Sequence, residues 1–139
     1  MSDKRIKSIL WLLVAALLWA VLQITVISDL LEGKEYGIMT LGGLLLVLGG
    51  LLLYLSITAR PEKKIRIFLL LSGSSAVGIP VFVLLHNAVQ GLVTLVAGPD
   101  AVDEPFFFTL AVIVSPLGLL VGLTGSLVRS YRRNPRPGA

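Results

Sequence analysis

Cysteine is absent from this chain. Disulfides, thiolate metal sites and cysteine nucleophiles are therefore excluded together. Charge is scarce. Asp, Glu, Lys and Arg make up 14% of the 139 residues, against about 25% in an ordinary soluble domain. None of the four occurs anywhere from Ile67 to Pro99. Histidine is represented by His86 alone. No carboxylate lies within any long apolar run, so a proton-coupled relay of buried acids has no members. A glycine-rich phosphate loop, a serine–histidine–aspartate set and paired catalytic carboxylates are also missing. Gly42-Gly43 and Gly49-Gly50 sit inside an apolar helix pattern and are not phosphate loops. The expectation is a protein that is not an enzyme and holds no cofactor and no metal.

What remains is apolar surface. Hydrophobic residues form 55% of the chain. A membrane-crossing helix needs roughly 20 such residues in succession. Four runs qualify, at about 9–27, 38–59, 66–87 and 106–128, within a single transmembrane domain covering residues 1–130. A basic start followed by an apolar run also describes a secretory signal. The first run is longer than the roughly 7–15 apolar residues of a signal core and no small-residue cleavage site closes it, so a span is preferred. The third run continues past its span through residues 88–97. Straight, it would outreach a hydrocarbon core of about 30 Å. Pro80 predicts a kink. Residues 88–97 are too apolar for water and are expected to bend at Gly91 into the outer interface, or to pack over the bundle. Ser115-Pro116 predicts a second kink, in the fourth span. Residues 131–139 read as a basic, disordered tail.

Charge orients the bundle. Eleven of the twelve bases fall at the amino end, in the loop between spans two and three, and at the carboxyl end. The other two loops hold Lys34 and six of the eight acids. Short loops rich in Lys and Arg stay in the cytoplasm. The fold class is thus all-α, an integral membrane four-helix bundle of a plasma membrane. Both termini are cytoplasmic, and the third helix is long and kinked with an interfacial extension. The formal net charge of +4 is assigned to anionic lipid headgroups on the cytoplasmic side rather than to nucleic acid.

Helices associate in lipid by close approach, which small residues permit. Ser115, Gly118, Gly122 and Gly125 recur every three or four positions and share one helical face. Gly42 and Gly49 lie one heptad apart in the second span, as do Gly43 and Gly50. Two readings stand: an interface with a second copy or another membrane protein, and packing within one bundle. The second is preferred, because every bundle must bury some faces. His86, Asn87 and Gln90 are the polar residues nearest the outer headgroups, and form either a structural hydrogen-bond cluster or a small ligand site. Gln23 is expected to hydrogen-bond across helices, Trp11 and Phe106 to Phe108 to form aromatic belts, and Trp19 to pack inward.

The segments Leu85-His86-Asn87-Ala88 and Ser115-Pro116-Leu117-Gly118-Leu119-Leu120-Val121-Gly122-Leu123-Thr124-Gly125-Ser126 resemble small prokaryotic four-helix integral membrane proteins of unknown function. The likeness covers the second half of the chain and implies no activity. The sequence predicts a membrane protein acting through helix and lipid contacts, as an accessory or assembly component. The alternative is a channel or carrier for a neutral small solute, entered near His86.

Overall fold

The computed structural model describes residues 2–22, 34–98 and 102–132. Gln23, the stretch before Lys34 and the tail after Arg132 lie outside the described residues. Those described form helices and connections, with no strand among them. The order is α1 (Ser2–Leu22), α2 (Lys34–Thr58), α3 (Lys63–Ala97), α4 (Pro105–Thr109), a π turn (Leu110–Val114) and α5 (Ser115–Arg132). The last three run on without interruption.

Among the described residues, three helices are long and apolar enough to cross a membrane: Met39–Thr58, Lys63–Ala97 and Pro105–Arg132. α1 carries a shorter apolar stretch, Ile6–Trp19. The expected first span, 9–27, ends among residues outside the described ones.

α3 starts at Lys63, slightly earlier than expected, and does not stop at residue 87. The segment expected to bend away at 88–97 belongs to the same helix, and Gly91 lies inside it. The physical reason is that a glycine within a helix costs only about 1 kcal/mol relative to alanine, too little to break an otherwise continuous hydrogen-bond ladder. Termination comes only at Gly98, whose φ of 92° suits a glycine and whose N–H bonds to the Thr94 carbonyl at 3.0 Å. Pro80 sits mid-helix and removes the N–H that the Ala76 carbonyl would otherwise accept. At the other proline, Pro116, the outcome is a π turn just upstream. The Ser115 N–H reaches back to the Leu110 carbonyl, so the widened turn sits where the proline interrupts the ladder.

α3 is the shared element. Gly49 of α2 lies against Gly73 and Ala76, and Gly42 against Pro80. The falling numbers on α2 meet rising numbers on α3, so the pair is antiparallel. The turn between them places Arg60 in the left-handed region at φ 42°, a common exit from a helix. On its other side α3 meets α5, again antiparallel: Gly78 with Ser115, Ser75 with Gly118, Ser72 with Gly122. α1 packs on α2 and, more sparsely, on α5. One core collects Leu10 and Leu13 from α1, Leu52 from α2, Leu69 from α3 and Leu119 from α5.

Several serines of these helices bond back to their own helix, whereas the buried Ser126 hydroxyl has no hydrogen-bond partner among the described residues. Ser72 Oγ donates to the Phe68 carbonyl at 2.9 Å, Ser56 Oγ to Leu52 at 2.6 Å, and Ser74 Oγ to Leu70 at 2.7 Å. Bonding to the carbonyl four residues back removes the cost of an unpaired hydroxyl. Large apolar side chains point outward instead, including Trp11, Val47, Leu84 and Leu120. Trp19 belongs with them. It is half exposed rather than packed inward.

Candidate functional site

The polar cluster near the end of α3 is built by register. His86 and Gln90 stand one helical turn apart on the same face. The antiparallel alignment of α3 with the last helix brings the segment before α4 opposite them. Glu104 is the centre of what forms. Its carboxylate caps α4, with Oε1 accepting from the Phe106 N–H at 2.7 Å and Oε2 from the Phe107 N–H at 3.1 Å. Pro105 follows at the first helical position, where its missing N–H costs nothing. The Glu104 N–H donates to Gln90 Oε1 at 2.9 Å and to Asp103 Oδ1 at 3.0 Å. His86 Nδ1 lies 3.4 Å from Glu104 Oε2, and Nε2 lies 3.9 Å from Asp103 Oδ1.

The cluster is graded in exposure. The His86 and Glu104 side chains are 17% and 16% exposed, whereas Asp103 is 76% exposed. The Phe108 ring, with its centroid 5.6 Å from that of the imidazole, flanks it. Phe82 and Phe107 stack one turn deeper at 6.4 Å. The imidazole and the carboxylate thus meet beside aromatic rings, within reach of a hydrogen bond. The cluster also clamps the C-terminal half of α3 to the start of α4. Among the described residues, no group of three His, Cys, Asp or Glu side chains could hold a metal ion.

The structure does not gather His86, Asn87 and Gln90 into one set. His86 and Gln90 meet Glu104, while Asn87, a residue further round the helix, is exposed and in no hydrogen bond among the described residues. Glu104 itself went unnoticed in the sequence, where it counted only as a loop charge. The available signal was its place directly before Pro105, a position that favours a capping side chain. Glu104→Ala is expected to cost about 1–2 kcal/mol and to speed amide exchange at Phe106 and Phe107, measured by hydrogen–deuterium exchange. Asn87→Ala should change stability by no more than about 0.5 kcal/mol.

The small-residue positions sit at helix seams. Ser115 is buried beside Gly78, and Gly118, Gly122 and Gly125 abut Ser75, Ser72 and Phe68 of α3. Gly49 fits between Gly73 and Ala76, and a side-chain carbon added at Gly42 would lie 3.6 Å from Pro80 Cβ, an ordinary contact. Gly43 and Gly50, by contrast, have nothing within 4 Å of the space a side chain would take.

Neither protein-family models, nor curated proteins, nor solved structures yield a match to this chain. Its class rests on its own geometry: an all-helical protein with three helices able to cross a membrane and a shorter apolar fourth.

Proposed function

We propose that this chain is a four-helix integral protein of a prokaryotic plasma membrane, with α1 completing the bundle as a fourth span and both termini in the cytoplasm. It acts through helix and lipid contacts, as an accessory or assembly component, and catalyses no reaction. One observation carries the membrane reading. In the most apolar stretches of α2, α3 and the last helix, only 28%, 22% and 28% of residues are buried within the protein. Such an apolar exterior suits acyl chains and is hostile to water. The charge partition supports the orientation.

The accessory role draws on how the polar groups are used. Small side chains are spent on holding helices together, and His86 and Gln90 on holding Glu104. A carrier would need that clamp to open toward a solute. Liposome flux abolished by His86→Ala would favour the carrier. In its absence, photo-crosslinking from outward positions such as Val47 and Leu84 should give discrete adducts with neighbouring membrane proteins. A free monomer with measurable turnover would overturn the accessory role.

Orientation has its own test, made clean by the lack of cysteine. Single substitutions Lys4→Cys and Val102→Cys, treated with an impermeant maleimide, should label differently. Lys4→Cys should react only after permeabilisation and Val102→Cys in intact cells. The reverse pattern would invert the protein.

A further inference from the structure

At the end opposite the His86 clamp, where α3 begins and α5 finishes, an open-sided cavity of about 520 Å³ lies between the two helices. That volume falls within the roughly 300–1,000 Å³ of small-ligand sites. Arg129 and Arg132 line it, together with Thr124, Val128 and Phe68, and Glu62 contributes a single opposing charge. Gly125 explains why the wall stands where it does: the Phe68 ring occupies the place a side chain would fill. The Arg129 guanidinium rests over that ring, 5.5 Å from its centroid. This contact holds the charge on an aromatic face.

We propose that this cavity binds the phosphate of an anionic phospholipid. Two guanidinium forks, three residues and just under one helical turn apart on α5, present paired donors to phosphate oxygens. The Thr124 hydroxyl adds a neutral donor. The mixed lining selects the lipid over free phosphate. Beneath the arginines the walls are Phe68 and Val128, which a bare ion leaves unused and the first carbons of an acyl chain cover. Basic pockets between helices at the cytoplasmic face suit such headgroups. The site rests on the reading that this end meets the inner leaflet. It adds to that reading a single stoichiometric position, distinct from the diffuse attraction of the other surface bases.

The test uses the full chain in nanodiscs of phosphatidylcholine containing a minor share of phosphatidylglycerol, with retained lipid counted by native mass spectrometry. Wild type should keep one phosphatidylglycerol per chain, preferred about tenfold, as expected for charged hydrogen bonds. Arg129→Gln/Arg132→Gln should reduce the preference to about twofold or less. Arg132→Gln alone leaves the Arg129–Phe68 stack in place and should lower it about threefold. Lys4→Gln/Lys64→Gln removes equal charge from the same end, outside the cavity, and should preserve the preference. Equal losses in the two double variants would overturn the site in favour of diffuse attraction. Displacement by millimolar inorganic phosphate would overturn the lipid assignment. Alkaline carbonate extraction separates the two levels. A chain released into the supernatant sinks the membrane reading itself, whereas an integral chain with no lipid preference sinks only the site.

Discussion

Gly122→Leu is expected to unseat α5 from α3 and to cost about 3 kcal/mol or more, at or beyond the upper end for overpacked cores. A first side-chain carbon at this position would lie 2.6 Å from the Ser72 amide nitrogen and 2.9 Å from the Phe68 carbonyl oxygen. Both are backbone atoms of α3, so relief requires the helix to move rather than a rotamer to turn. Even Gly122→Ala should lose. Alanine gains about 1 kcal/mol of helix propensity over glycine, but the overpacking penalty of about 1–3 kcal/mol is larger. Gly125→Ala meets only the Phe68 ring, which can rotate, and should cost less. Unfolding in mixed micelles, followed by circular dichroism, ranks the three. A Gly122→Leu protein as stable as wild type would show that the α3–α5 seam is not where the structure puts it.

The second large effect separates the two faces of α2. Gly49→Leu should cost about 2–3 kcal/mol, because its first carbon would fall 2.8 Å from Ala76 Cβ and 2.9 Å from the Gly73 carbonyl oxygen. Gly43→Leu and Gly50→Leu meet open space and should be neutral or gain up to about 1 kcal/mol. The contrast also addresses self-association. If Gly43→Leu left monomer stability intact but abolished a crosslinked dimer, the outward glycines would serve a second copy. If both variants behaved as wild type in crosslinking and stability, glycine packing would be confined to the seams with α3.

Much of this was legible beforehand, for a definite reason. Long apolar runs bounded by charges mark α2, α3 and the last helix, because a charge in lipid is costly wherever it falls. The small-residue face of α5 was readable from its spacing. Its partner was not: periodicity specifies a face but not what covers it, so Gly122 fitted an oligomer as well as α3. The His86 clamp was hidden for a related cause. Glu104 is eighteen residues away, and the two meet only because the antiparallel register and the length of the intervening connection align them. That α3 keeps its helical hydrogen bonds through Gly91 was not legible, because a glycine signals freedom to leave a helix, not a need to. Pro116 signalled an interruption in the last helix, but not that it would take the form of a π turn.

The two ways in which helices are held here differ in kind. α2 and α5 meet α3 through glycine and serine, where backbones approach closely. α1 is held by leucines, Leu10 and Leu13 against a core that includes Leu52 and Leu119. Between leucine and lipid there is little to choose, since an acyl chain offers nearly the same contact. If the chain lies in lipid as proposed, α1 is the helix whose detachment costs least, because acyl chains would replace its leucine contacts and leave the glycine-packed α2–α3–α5 frame intact.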